Sequence, residues 1–113
     1  MRMILVHIVK KQEIKVILER GKIEPSSPGN SLFVHCCLPN QVDGVLEKWF
    51  SGENDLYAVE IDSNSLSSKV VFENLEGGEE LFPHIYGDVP IKAVKNHYPV
   101  KIQEGGYQYE NRD

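Results

Sequence analysis

Residues 32–50 read LFVHCCLPNQVDGVLEKWF, and their hydrophobic pattern changes period half-way along. Residues 32–36 (LFVHC) are a short apolar run of the kind that forms a strand. Pro39 follows at a first helical position, where its missing N–H costs nothing. Val42, Val45, Leu46, Trp49 and Phe50 then fall at i, i+3, i+4, i+7 and i+8, the signature of an amphipathic helix over residues 39–50, which Ser51 and Gly52 close. The face carrying Val42, Val45 and Leu46 must be covered, so Trp49 on that face is expected to be largely buried.

The same strand-then-helix order precedes this unit. Residues 4–8 (ILVHI) are apolar apart from His7 and read as a strand buried on both faces. Ile14, Ile17 and Leu18 predict a helix over residues 12–20, with Gly21 as its C-terminal cap. Residues 24–31 (EPSSPGNS) have the composition of a loop and are the best candidate for a mobile element.

Downstream, residues 56–61 (LYAVEI) and 69–72 (KVVF) read as strands across a polar turn, which makes an antiparallel pairing between them plausible. A second loop spans Glu76 to Glu80. Residues 81–90 (LFPHIYGDVP) predict a buried, bent segment leading to a last strand near residues 94–98. The order β-α-β-α followed by strands argues for a small α+β domain with a mixed or antiparallel sheet and two main helices. A single domain over residues 1–102 is expected, with 103–113 a loosely held tail that has no aliphatic side chain.

Composition narrows the functional classes. With 17 acidic against 12 basic residues and a net charge of -5, the chain would repel a phosphate backbone, so a nucleic-acid partner is not expected. No apolar run approaches the roughly 20 residues that span a bilayer, and the apolar start lacks a cleavage site, so a cytoplasmic, non-membrane protein is expected. Cys36 and Cys37 are adjacent, point to opposite faces of an extended strand, and are expected to remain reduced. Oligomeric state is not legible.

Three of the four histidines, His7, His35 and His84, interrupt segments that should otherwise be buried. One buried histidine is more often a hydrogen-bonded core residue than a functional one, but three in a small domain suggest a concave site with convergent imidazoles. His97 lacks such a context. No metal is expected, since neither H-x-x-x-H nor C-x-x-C spacing occurs. A Cys36 nucleophile would point away from its neighbour His35, and Gly77-Gly78 lacks the following helix of a phosphate loop. Glu73 ends an apolar strand and would project from a sheet edge, where a carboxylate can stabilise an oxocarbenium-like centre.

The stretches SLFVHCCLPNQV, DLYAVEID and VVFENLEGGEELFPHIYGDVPIKAV, with ILVHI ahead of them, resemble the family catalogued as Domain of Unknown Function 952, from about Ile4 to about Val94. The specific parts are Phe33-Val34-His35 with Gln41, Glu73, and residues 82–86 (FPHIY). This resemblance implies a fold similar to the ADP-ribosyltransferases, which hold NAD in the cleft of a split β-sheet with one residue from each of three strands. In transferases related to RNA 2′-phosphotransferase, the first two positions are histidines. Matched to that pattern, His7 stands at the first position and His35 at the second. Either Glu73 or the segment 82–86 supplies the third. The implied activity is NAD-dependent ADP-ribosyl transfer or NAD cleavage, with NAD as co-substrate, His35, Glu73 and His84 as catalytic residues, and His7, Phe33 and Tyr86 as binding residues. A non-catalytic module holding a nucleotide or another small ligand in the same cleft is the alternative. Where relatives carry glycine this chain has Leu32, and where they carry a Ser-Thr pair it has Cys37-Leu38, so a hydroxyl cap on the second helix is lost.

Overall fold

The computed structural model describes residues 3–25, 32–74, 78–103 and 106–108. Strand β1 (Ile4–Lys10) pairs antiparallel with β4 (Leu56–Asp62), in register from Ile4 against Asp62 to Lys10 against Leu56. The other edge of β4 pairs with β8 (Val94–Pro99), with an irregularity between Glu60 and Ile61. As the central strand, β4 is buried on both faces, which explains its nearly continuous apolar sequence. Glu60, near its middle, is also fully buried and accepts from Asn96 Nδ2 at 3.4 Å.

A second three-stranded sheet has the order β3 (Val34–His35), β6 (Phe82–Tyr86), β5 (Lys69–Glu73). Two short pairs complete the architecture: β2 (Lys22–Ile23) with β7 (Val89–Pro90), and β9 (Lys101–Gln103) with β10 (Gly106–Gln108). Every strand pairing among the described residues is antiparallel. Among the described residues the two larger sheets meet at one bridge, where Val6 N–H donates to Cys37 O at 2.7 Å and Cys37 N–H returns to Val6 O at 2.8 Å.

Helices α1 (Lys11–Arg20) and α2 (Val42–Trp49) cover opposite faces of the β1–β4 sheet. The first is capped by Gly21, whose φ of 72° lies in the left-handed region and whose N–H donates to Ile17 O. Its Ile14 and Ile17 pack on a cluster built from Leu5, Val59, Ile61, Val34, Ile85 and Cys36. The second follows a 3-10 turn (Pro39–Gln41) and brings Val42 and Leu46 against Val6, Ala58, Leu56 and Cys37. Cys36 and Cys37 thus enter opposite clusters as free thiols, as alternation along a strand requires. The outcome is a small α+β domain with two helices and antiparallel sheets. Among the described residues no helix is long and apolar enough to cross a membrane.

Several expectations are corrected. Trp49 is 49% exposed. It is the last helical residue, and Phe50 in the departing chain takes the packing place against the core, while the Lys48 ammonium lies 5.2 Å from the Trp49 ring centroid. Leu18 is likewise exposed, because Ile14 and Ile17 suffice to anchor α1. The run 32–36 shortens to a two-residue strand with Leu32 exposed. The strands at 56–61 and 69–72 do not pair with each other. A 3-10 turn (Ser63–Ser65), held where Asp62 accepts from Asn64 N–H at 3.0 Å and Met3 O accepts from Ser63 N–H at 2.9 Å, carries the chain from one sheet to the other. Of the loop at 24–31, residues 26–31 lie outside the described residues, as do 75–77 of the loop at 76–80. In the segment 103–113, Gly106–Gln108 pairs with Lys101–Gln103, and 104–105 and 109–113 lie outside the described residues.

Candidate functional site

Alternation along β6 sends Ile85 into the core and turns His84 and Tyr86 to the other face of the sheet. The β3–β6 register sets His35 directly opposite His84, with ring centroids 5.1 Å apart. Phe33 stacks on His84 at 4.2 Å with planes 16° apart, and its ring also meets His35 at 4.6 Å and Tyr86 at 5.1 Å. His84 is consequently 1% exposed, whereas His35 is open to solvent.

Glu73, the last residue of β5, stands at the sheet edge as expected. Its Oε1 accepts from His84 Nδ1 at 2.9 Å and from the Tyr86 hydroxyl. These bonds, that of Tyr86 first and that of His84 second, hold the Glu73 carboxyl below its ordinary pKa. The same carboxylate pushes the Tyr86 phenol up. The pair is therefore an ionised acid and a neutral phenol at neutral pH.

His7 joins from the first sheet. Its Nδ1 lies 2.6 Å from His35 O, and since a carbonyl only accepts, Nδ1 carries the proton and Nε2 the lone pair. Burial lowers the His7 pKa from 6.5, so the ring is neutral and basic at Nε2. The ring lines a cleft of about 80 Å³ with His35, Cys37, Val45 and Phe50. Burial pushes the Cys37 thiol up to about 12, and Cys36 also well up, so neither is a thiolate nucleophile at neutral pH.

Gln41 is a positioning residue whose role the sequence did not reveal. Its Oε1 accepts from Leu38 N–H at 2.8 Å, the half of a capping box that reaches back to the capping residue, and its Nε2 donates to Leu81 O at 2.9 Å and Glu80 Oε2 at 3.1 Å. The start of α2 is thereby tied to the entry of β6. A glutamine three residues after a capping position is the signal that could have found it. His97 lies elsewhere, opposite Val59 on β8, where it lines a separate groove of about 420 Å³ with Tyr57, Lys11, Ile14 and Leu18. Among the described residues, no three His, Cys, Asp or Glu side chains converge as metal ligands would.

The family model described as "Protein of unknown function (DUF952)" matches residues 8–97. The chain belongs to the DUF952 family. The crystal structure of protein CC0527 from Caulobacter crescentus resembles this DUF952 chain with a TM-score of 0.79 at 22% identity, over 93% of each chain. The solution NMR structure of CC0527 gives a TM-score of 0.76 at 22% identity, over 92% of this chain and 90% of that one. At that identity the likeness shows the fold alone. No curated protein matches the DUF952 sequence.

Proposed function

We propose that this DUF952 domain holds NAD as co-substrate at the cluster of His7, His35, His84 and Glu73 and acts on the bond between ribose and nicotinamide, on a fold of the ADP-ribosyltransferase kind. One observation carries the reading: residues from β1, β3, β5 and β6 form one unbroken chain of contacts, from His7 through His35 and His84 to Glu73. Heterolysis of the glycosidic bond leaves its electron pair on the nicotinamide nitrogen and positive charge on the ribose, which an ionised carboxylate such as Glu73 stabilises. Water or another acceptor then bonds to the anomeric carbon, and its proton passes to a base; the neutral His7, with its lone pair on Nε2, suits that role. Phe33 and Tyr86 supply faces against which a flat ring can lie. The two buried free thiols support a reducing compartment, the cytoplasm.

The test is titration of isotope-labelled protein with about 1 mM NAD, a concentration that detects weak binding, together with chromatography of the mixture for nicotinamide. Shifts in the Phe33 to His35 amides with release of nicotinamide are expected. NAD that neither shifts those amides nor is consumed over hours overturns the reading.

A second reading, a binding module without turnover, is favoured by a different observation. Glu73 Oε1 already accepts two hydrogen bonds, and the adjoining cleft is only about 80 Å³. Thermal stabilisation by a nucleotide without nicotinamide release selects it, and nicotinamide release excludes it.

A further inference from the structure

Among the described residues, strand β5 (Lys69–Glu73, KVVFE) is an edge of its sheet, with β6 on one side only. The direction of its free backbone groups follows from a contact on the far side of β6. Cys36 N–H donates to Pro83 O at 3.1 Å, so the Pro83 carbonyl faces β3. Phe72 stands opposite Pro83, which makes theirs a non-hydrogen-bonded pair and turns the N–H and C=O of Phe72 away from β6. By alternation the N–H and C=O of Val70 point outward as well. No other backbone hydrogen bond to residues 69–73 occurs among the described residues. The outer edge therefore offers two donor–acceptor pairs, at Val70 and Phe72, beside a Phe72 ring that is 38% exposed.

This edge is self-complementary. An antiparallel second copy centred on Val71 sets Val70 against Phe72 of the partner subunit, so that the outward groups bond each other on both sides of the two-fold axis. The same register sets Lys69 opposite Glu73 of the partner subunit. Lysine at an exposed edge ordinarily discourages strand pairing, but here each Lys69 would meet a carboxylate instead of another lysine. Register shifts of one residue either way lose both the charge match and the hydrogen-bond phase.

We propose that two copies of the chain join through β5, forming a continuous six-stranded antiparallel sheet with Val71 on the two-fold axis. Lys69, Val71 and Glu73 share the sheet face of Tyr86 and His84, their partners across β6. Lys69 of the partner subunit then lies beside Glu73 and adds a third donor to a carboxylate that already serves His84 and Tyr86. The dimer itself does not rest on the nucleotide reading; only the consequence for that site does.

Sedimentation of the full chain across a concentration series, with disulfide trapping, tests the register. Val71→Cys should cross-link on mild oxidation, because Cα atoms of a non-hydrogen-bonded antiparallel pair are about 4.5 Å apart, within disulfide reach. Lys69→Cys should not, since the two copies of that residue are offset by about 13 Å along the strands. Lys69→Glu, at an exposed position, should weaken dimerisation about tenfold or more by setting like charges opposite each other. Chains that stay monomeric at about 1 mM with no Val71→Cys cross-link overturn the proposal and leave the edge to a strand of another protein. A dimer indifferent to Lys69→Glu, or one that cross-links through Lys69→Cys, overturns it too, because its interface is then elsewhere or in another register.

Discussion

His84 donates its Nδ1 proton to Glu73 Oε1 at 2.9 Å while its ring lies stacked beneath Phe33, so one imidazole is at once a hydrogen-bond donor to the sheet edge and a packed core side chain. His35, directly across the ladder, shares its ring contacts but stays in solvent.

That difference separates the two histidines. His84→Ala opens a cavity under Phe33 and should lower unfolding free energy by about 2–4 kcal/mol. His35→Ala should stay within about 1 kcal/mol, because it vacates a solvated position and keeps the carbonyl that accepts from His7. Urea denaturation of the two variants reads the contrast directly; equal losses would mean that His35 is as much a core residue as His84.

Acid should weaken the fold in two steps. His7, lowered from 6.5 by burial, binds fewer protons folded than unfolded, so stability falls as pH drops below 6.5 until the folded ring itself protonates. Glu73, lowered from 4.5, contributes stability that is present above the unfolded value and is lost as pH falls through the folded one. Tyr86→Phe removes the larger cause and should return Glu73 toward 4.5, visible in a carboxyl-carbon NMR titration. An unmoved Glu73 would show that the phenol does not hold it.

The imidazole nitrogens of His7 should resonate as a protonated Nδ1 and a bare Nε2 at neutral pH, because His35 O can only accept. Long-range nitrogen–proton NMR distinguishes this tautomer, and a protonated Nε2 would remove His7 as a base toward the cleft.

Gly87 follows Tyr86 with a φ of 150°, and a Cβ there would come within 2.3 Å of Ser68 Oγ and 3.0 Å of Ser68 Cβ. Gly87→Ala should therefore cost about 1–3 kcal/mol. Adding Ser68→Gly relieves the contact but not the backbone strain, so it should restore only part of the lost thermal stability. Full recovery would assign the whole cost to the clash.

On α2 the large side chain matters least. Leu46→Ala should cost about 2–5 kcal/mol, whereas Trp49→Ser should change stability by about 0.5 kcal/mol or less. Trp49 fluorescence should be accessible to iodide quenching in the folded protein, and a shielded, blue-shifted emission would contradict its exposure.

Periodicity in the sequence was enough to find both helices, the β1 and β4 strands, the opposed thiols of Cys36 and Cys37 and the edge position of Glu73, since each depends on near neighbours in the chain. The family was legible too, because residues 33–35, Gln41, Glu73 and 82–86 stand together as a pattern. Strand partnership was not. A six-residue connection rich in serine reads like a hairpin turn, yet residues 63–68 carry the chain between two sheets, β4 pairing with β1 and β8 and β5 with β6, while Leu66 packs on the core. Burial at an element's end escaped for a related reason: the helical angle of Trp49 is set by local geometry, but whether anything covers that angle depends on where the sheet stops. The same holds for the site. Sequence nominated His7, His35, His84 and Glu73 and suggested that the imidazoles converge, whereas the hydrogen bond from His84 to Glu73 and the one from His7 to the His35 carbonyl exist only because antiparallel registers and the Val6–Cys37 bridge bring distant segments together.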